Sequence, residues 1–146
     1  MKSTYGLLLG LGLLSLVAWA ADKAPLAEKN APSLAGTWEL TMEKYGDAKE
    51  LTPASTEHKS IKFVTDTHFI WVWVDPKTKK VTTSMGGRYE LKGDSYVETP
   101  EFATEGMEAY LGKAQKFTVK LEGDQWTHSG QLSEGMHIEE VWKRVK

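Results

Sequence analysis

Apolar and polar residues alternate along most of the chain after residue 36, and turn residues recur about every ten positions. The alternation is clear in residues 38–42 and again in residues 117–121. A period of two places one side of a strand in a core and the other side in water. The pattern predicts an all-β fold of about eight strands. Residues 102–113 suit a short helix, although Gly106 and Gly112 limit its length.

The order of these strands predicts their architecture. Short strands that follow one another without a helical layer favour a closed, antiparallel, up-and-down β-barrel, because closure removes exposed strand edges. A β-sandwich is the alternative. We expect the barrel domain over residues 34–146. Residues 21–33 contain two prolines and scattered charges without a usable period, and we expect them to form a disordered tether.

The first 20 residues have the features of a secretory signal peptide. Lys2 supplies a positive charge, residues 7–17 are largely apolar, and Ala18-Trp19-Ala20 fits the small-x-small pattern before a cleavage site. The apolar run is shorter than the roughly 20 residues of a membrane-spanning helix. We therefore expect cleavage, a periplasmic or secreted location, and no membrane insertion afterwards. An uncleaved N-terminal anchor is the alternative.

Composition narrows the functional classes. The chain has 18 Lys and Arg residues and 20 Asp and Glu residues, for a formal net charge of −2, which argues against nucleic acid as a partner. It contains no cysteine, so the core and not disulfides must stabilise the fold. Six tryptophans are many for this length, and aromatic side chains build both cores and the walls of ligand cavities.

A Gly-Asp turn at residues 93–94 predicts the register of one hairpin. A two-residue turn pairs Leu91 with Tyr96 and Tyr89 with Glu98. Directly opposed residues share a face. Tyr96 and Glu98 are therefore expected on the core side with Leu91 and Tyr89.

A second Gly-Asp turn at residues 123–124 and a three-residue loop at residues 133–135 predict the register of three more strands. They place His128 opposite both Val119 and Glu140, so a histidine and a glutamate lie side by side in an apolar wall. The predicted inner face of these strands consists of Phe117, Val119, Leu121, Trp126, His128, Leu132, Met136, Ile138, Glu140 and Trp142.

The His128–Glu140 pair is the leading candidate for chemistry. A buried carboxylate needs a partner, and the pair either orients a polar group of a ligand, transfers protons, or forms a structural hydrogen bond. The candidate ligand-binding residues are His128, Glu140, Glu98, Tyr89, Tyr96, Trp71, Trp73, Trp126 and Arg88.

Residues 69–74 are apolar on both faces, so alternation alone does not decide which side is inward. We favour the aromatic side, with Trp71 and Trp73, as cavity lining. Gly86-Gly87 has the composition of a β-bulge that shifts the register of the following strand. Arg88 then either points into the barrel mouth as a carboxylate receptor or lies on the solvated surface.

Gly36-Thr37-Trp38 resembles the G-x-W opening of lipocalins and their calycin relatives. Arg144 resembles the arginine that this superfamily packs against that tryptophan at the closed end of the barrel. Three segments are also similar to a group of exported bacterial lipocalin-like domains of unknown function: 67–72, 86–89 and 96–99. The resemblance implies a lipocalin-like barrel in which Trp38 and Arg144 are structural.

The leading functional hypothesis is a binding protein that holds a small hydrophobic, amphipathic or aromatic molecule in the barrel cavity. The first alternative is an acid–base enzyme of the isomerase, cyclase or hydratase type that uses His128 and Glu140. Catalysis is the less favoured hypothesis because the sequence has neither a G-x-S-x-G motif nor a thiol. No oligomeric state is predicted.

The second alternative is a protein-interaction or inhibitor domain that uses residues 102–113. Met107, Tyr110 and Leu111 would form an exposed anchor there, or fold down as a lid over the barrel mouth, which we favour. The four histidines show no metal-ligand spacing, and no phosphate loop or dinucleotide motif is present. We therefore predict neither a metal nor a cofactor.

Overall fold

The structure is a computed structural model that describes residues 33–146. The predicted signal peptide, and all but the last residue of the predicted tether, lie outside the described residues. Within the described part of the chain, no helix is long and apolar enough to cross a membrane.

The described chain is a closed antiparallel β-barrel. Strands β1 and β3 to β9 pair in sequence order, and β9 returns to pair with β1, which gives a ring of eight strands. The short β2 pairs with β1 outside the ring. The predicted up-and-down barrel is confirmed, and the sandwich alternative is wrong. The strands are β1 Gly36–Tyr45, β2 Thr52–Pro53, β3 Lys59–Val64, β4 His68–Val74, β5 Val81–Lys92, β6 Ser95–Ala103, β7 Gln115–Glu122, β8 Gln125–Gln131 and β9 His137–Arg144.

The hairpin registers agree with those predicted from the two Gly-Asp turns. Tyr89 lies opposite Glu98 in the β5–β6 hairpin. His128 lies opposite Val119 on one side and Glu140 on the other. The turn sequences therefore set the inward face of five consecutive strands, because each residue opposite an inward residue also points inward.

A β-bulge occurs at the predicted glycines, but the extra residue is on the other strand. Gly86 pairs with Phe102 and Gly87 pairs with Pro100, so Glu101 of β6 is the unpaired residue. A Cβ atom at Gly87 would overlap the backbone of β6. Glycine is therefore required there because the bulged strand approaches so closely.

The pairing of β4 with β5 determines which side of β4 faces inward. Phe69 lies opposite Gly87, and Trp71 lies opposite Met85, on the same face of β5 as the core residue Tyr89. Phe69 is buried, whereas Ile70 is 41% exposed. The aromatic side of β4 therefore faces the interior, as favoured from the sequence.

One end of the barrel is sealed by the contact between Trp38 and Arg144. The guanidinium carbon of Arg144 lies 4.1 Å from the centroid of the Trp38 ring, and Nη1 donates a hydrogen bond to the carbonyl of Ala35 at 2.6 Å. Gly36 has a φ of 140°, and a Cβ atom there would meet the same guanidinium. This contact confirms the structural role that the lipocalin resemblance implies for both residues.

Candidate functional site

A cavity of about 240 Å³ lies in the other half of the barrel, which contains the end of β1 and the start of β9. Eleven of its lining residues are aromatic, aliphatic or thioether side chains, and four carry ionisable groups. The lining residues are Tyr45, Lys62, Trp71, Trp73, Met85, Glu98, Met107, Tyr110, Phe117, Leu132, His128, Met136, Ile138, Glu140 and Trp142.

The first polar cluster of the cavity is built around Lys62 and Glu98, which are both buried. Nζ of Lys62 lies 2.7 Å from Oε1 of Glu98, and the hydroxyl of Tyr96 donates to the same oxygen at 2.8 Å. Burial and the neighbouring Glu98 carboxylate raise the pKa of Tyr96 well above its ordinary value. Tyr96 is therefore a neutral donor that helps to hold the carboxylate in place.

The ammonium group of Lys62 is also surrounded by aromatic rings. Its nitrogen lies 5.1 Å, 5.2 Å and 5.7 Å from the ring centroids of Trp126, Trp142 and Phe69. Ring faces carry partial negative charge and attract a cation at this range. The charge of Lys62 is thus compensated by one carboxylate and by three rings of the barrel core.

The second polar cluster is built around Glu140. One of its oxygens accepts a hydrogen bond of 2.6 Å from the hydroxyl of Tyr45. The other oxygen accepts one of 3.0 Å from Nε1 of Trp142 and lies 2.6 Å from Nε2 of His128. Burial by itself raises the pKa of Glu140, but His128, Lys62 and the hydrogen bond from Tyr45 outweigh it and lower that pKa to about 2. Glu140 is therefore an ionised carboxylate.

His128 is held by packing more than by hydrogen bonds. Its ring is 1% exposed and stacks on Phe117, with centroids 4.6 Å apart and an interplanar angle of 11°. Nε2 is close to Glu140, but the carboxylate oxygen lies off the direction of the ring N–H. Neither ring nitrogen has an aligned hydrogen-bond partner among residues 33–146. The pair is thus a close electrostatic contact and not a well-formed hydrogen bond.

Five of the nine candidate site residues line the cavity. They are His128, Glu140, Glu98, Trp71 and Trp73.

The other four candidates do not line the cavity. Tyr96 touches Glu98 from the core side, and Trp126 is fully buried beneath Lys62. Tyr89 packs against Tyr96, and its hydroxyl donates to the carbonyl of Thr65 at 2.8 Å. The ionisable residues Lys62, Glu98, His128 and Glu140 form the floor of the cavity. Tyr96, Trp126 and Tyr89 support this floor from the closed end.

Of the two positions expected for Arg88, the structure shows the one on the solvated surface. The side chain is 72% exposed and forms an ion pair with Glu101, with 3.0 Å between Nε and Oε1. The reason is strand alternation: Tyr89 faces inward, so its neighbour Arg88 faces outward. Arg88 therefore does not point into the barrel mouth.

Lys62 is absent from the sequence-derived candidates because a single lysine between Ile61 and Phe63 has the pattern of a solvent-facing position. The structure reverses this reading, with Lys62 at 3% and Phe63 at 44% exposure. The inward position of Lys62 is shown by the partner strand, since Lys62 pairs with the inward residue Trp71.

Tyr45 is also absent from the sequence-derived candidates. A register shift between Leu40 and Met42 changes which residues of β1 face inward.

The segment between β6 and β7 covers part of the cavity. It contains a short 3₁₀ helix, Glu108–Tyr110. Met107 and Tyr110 line the cavity, whereas Leu111 is exposed. This arrangement is the lid that we favoured over an exposed anchor, with Leu111 as the exception.

Within residues 33–146 no group of three or more His, Asp or Glu side chains is arranged to hold a metal ion. The two carboxylates of the cavity are instead bound by neighbouring side chains, Glu98 by Lys62 and Tyr96 and Glu140 by Tyr45 and Trp142. The site is chemically an apolar, aromatic chamber with a compact ionic floor.

Comparisons with known proteins agree with the lipocalin-like fold. The family model of a domain of unknown function, DUF4488, matches residues 33–146. The crystal structure of a lipocalin-like protein from Bacteroides uniformis is similar, with a TM-score of 0.56 and 18% identity over 77% of this chain and 98% of that one. The structure of an uncharacterized protein from Bacteroides eggerthii also gives 0.56, with 14% identity over 77% and 100% of the two chains. No curated protein matches the sequence.

Proposed function

Since the chain belongs to the DUF4488 family and forms a lipocalin-like barrel, we propose that it is a binding protein for a small, largely apolar molecule with aromatic character. The ligand would lie in the cavity between the ionic floor and the lid residues Met107 and Tyr110. An eight-stranded barrel has room for about one small ligand.

The composition of the cavity carries this proposal. Most of the lining is aromatic, aliphatic or thioether, which is the usual lining of small-molecule sites. Methionine side chains adapt to ligands of different shape because the thioether is flexible and polarizable. A volume of about 240 Å³ lies just below the usual range for drug-sized ligands, so the ligand is expected to be small.

The position of His128 favours binding over acid–base catalysis. Both ring nitrogens are buried, so a substrate atom in the cavity could not reach them without movement of the surrounding side chains. A general base must lie within hydrogen-bond reach of the proton that it removes. His128 and Glu140 are better explained as the support of the cavity floor.

A binding experiment with a cavity-filling variant tests the proposal. Isothermal titration of the protein with tert-butylbenzene, a neutral aromatic probe, should give saturable binding. Met85→Trp, which adds volume to a buried wall residue, should weaken it at least tenfold. Phe102→Trp on the outer face of β6 is the matched control, since Phe102 is exposed, and it should leave the affinity unchanged. Equal binding by both variants would place the probe outside the barrel and contradict the proposal.

We also propose that the protein is exported and that residues 1–20 are removed. The support is the sequence of a positive start, an apolar run and the Ala18-Trp19-Ala20 site. Mass spectrometry of the protein from fractionated host cells should find a chain that begins at Ala21 in the periplasmic or secreted fraction. An intact chain in the cytoplasmic fraction would contradict export.

A further inference from the structure

We propose that the ligand of the cavity is a small organic cation, such as a protonated amine or a quaternary ammonium compound with an apolar or aromatic body. This inference rests on the proposed function, because it names the charge of the molecule that the cavity would bind. It is carried by the balance of charges at the cavity floor and by the aromatic surface beside it.

Without a charge on His128, the ionisable groups that line the cavity do not balance. Glu98 and Glu140 contribute two carboxylates, and Lys62 contributes one ammonium group. Buried charges in an apolar environment are costly unless a partner of opposite sign compensates them. One carboxylate of the floor therefore depends on His128 or on a ligand for its compensation.

Lys62 does not attract an anionic ligand, because its charge is already satisfied. Glu98 lies 2.7 Å away, and three aromatic rings surround the ammonium group at 5.1 to 5.7 Å. An anion that approached Lys62 would also approach the carboxylate of Glu98. The Lys62–Glu98 pair therefore has no net charge, and the carboxylate of Glu140 is the charge at the floor that a cationic ligand would approach.

His128 contacts Glu140 without forming an aligned hydrogen bond. The two groups are 2.6 Å apart, but the ring N–H is not directed at the carboxylate, and the second ring nitrogen is buried without a partner. A cationic group of a ligand would thus be a further partner for the Glu140 carboxylate.

A third carboxylate lies close to the same cavity. Glu43 of β1 accepts a hydrogen bond from the backbone N–H of Ser55 through Oε1, while Oε2 is buried without a hydrogen-bond partner among residues 33–146. Glu43 is near enough to Tyr45 to contribute, after burial and Glu140, to the raised pKa of the Tyr45 hydroxyl. It places a further carboxylate opposite Glu140 in the β1–β9 pairing, outside the lining of the cavity.

The β4 wall of the cavity, next to Lys62 of β3, offers aromatic surface to a cation. Trp71 and Trp73 line the cavity and pack edge to face, with centroids 5.1 Å apart and an interplanar angle of 71°. Two perpendicular rings offer both a face and an edge to a ligand, and tryptophan faces are the best aromatic partners for organic cations. The same rings pack against an aromatic body, so one wall serves both parts of the ligand.

Probes of equal shape and different charge test the inference. Phenyltrimethylammonium and tert-butylbenzene differ by one charge and have nearly the same volume, and benzenesulfonate supplies the anion. Titration calorimetry of the protein should show the cation binding at least tenfold more tightly than tert-butylbenzene, with benzenesulfonate the weakest. Equal affinity for the cation and the neutral probe would overturn this inference and leave the proposed function intact. Absence of binding by all three probes would overturn both.

Three variants test which residues cause the preference for phenyltrimethylammonium over tert-butylbenzene. Trp73→Leu keeps an apolar wall and should reduce the preference for phenyltrimethylammonium to less than threefold. Glu139→Gln is the matched control, because Glu139 is paired with Lys44 at 2.7 Å on the outer face, and it should keep the full preference. Glu98→Gln should shift the preference toward benzenesulfonate, since it leaves Lys62 uncompensated. If that variant fails to fold, as circular dichroism would show, the Trp73→Leu comparison decides, and an unchanged preference there contradicts the inference.

Discussion

The two halves of the barrel contain tryptophan pairs of similar geometry with different surroundings. At the sealed end, Trp38 and Trp126 are both fully buried, with ring centroids 5.5 Å apart at an angle of 77°. In the open half, Trp71 and Trp73 are 5.1 Å apart at 71°, but they border the cavity. The first pair contributes mainly to stability, and the second pair provides a surface for a ligand.

The difference arises from what fills the space beside the rings. At the sealed end, Arg144 covers one face of Trp38, and the indole N–H donates to the carbonyl of Leu34 at 2.8 Å. In the open half, Met107 and Tyr110 of the lid segment stand over the cavity without filling it. Each void in a close-packed interior lowers the stability of the fold. The open half is therefore less stabilising than the sealed end, but it has space for a ligand.

Removal of a sealed-end tryptophan should have the largest effect. We expect Trp38→Ala to reduce the free energy of unfolding by about 3–5 kcal/mol, because a fully buried ring is deleted and a cavity is left. Urea denaturation followed by circular dichroism measures it. A loss below about 1 kcal/mol would show that the sealed end is not the stabilising half.

The ionic floor should come next. Lys62→Met removes the buried partner of Glu98 and should cost about 3 kcal/mol, since an uncompensated carboxylate remains in the interior. Lys113→Met is the control, because Lys113 and Glu134 form a surface pair of the kind that is worth roughly 0–1 kcal/mol. Equal losses in the two variants, measured by urea denaturation, would show that burial of the pair is energetically unimportant.

Much of the barrel could be predicted because the residues that determine each hairpin register lie close together in the sequence. Each Gly-Asp turn fixes the pairing of the adjacent strands, and the pairing of His128 with Glu140 follows from the turn at residues 123–124 and the loop that follows β8. The inward position of Tyr96 and Glu98 follows in the same way. Such registers need no knowledge of distant parts of the chain.

The missed residues depend on contacts that local patterns do not contain. The Lys62 position faces inward because β3 pairs with β4, and its partners Glu98 and Trp126 come from strands far along the chain. The inward position of Tyr45 follows a register shift in β1 with no glycine to mark it. The charge balance of the cavity floor was therefore not predictable from the alternation of apolar and polar residues.

Acid should weaken the open half through Glu140. Its folded-state pKa is lowered to about 2 from an ordinary value of 4.5, so the unfolded chain binds more protons between these values. The contribution of Glu140 to stability is complete above pH 4.5 and is lost as the pH falls toward 2, in total on the order of 3 kcal/mol.

Denaturation of wild type and Glu140→Gln across this pH range measures the effect. The variant should be less stable at neutral pH and show a shallower loss of stability in acid. Glu139→Gln, on the outer face of the same strand, should keep the wild-type slope. Parallel curves for wild type and Glu140→Gln would contradict the lowered pKa.

Removal of a cavity tryptophan should cost less than removal of Trp38. Trp73 is only partly buried, and one face stacks on His58 with centroids 4.0 Å apart. Trp73→Ala enlarges an existing space instead of creating a new one, so we expect a loss of about 1–2 kcal/mol in urea denaturation. A loss as large as that of Trp38→Ala would remove the contrast between the two halves.

The smallest effect is expected for Arg88→Ala. The side chain is exposed, and its ion pair with Glu101 spans two solvated groups, so the free energy of unfolding should change by less than about 0.5 kcal/mol. The affinity for phenyltrimethylammonium should also stay within twofold of wild type, because Arg88 lies outside the barrel. A marked gain in affinity would mean that the charge of Arg88 repels phenyltrimethylammonium through the barrel wall. The difference between the two halves of the barrel would then depend on charges of the outer face as well as on the cavity.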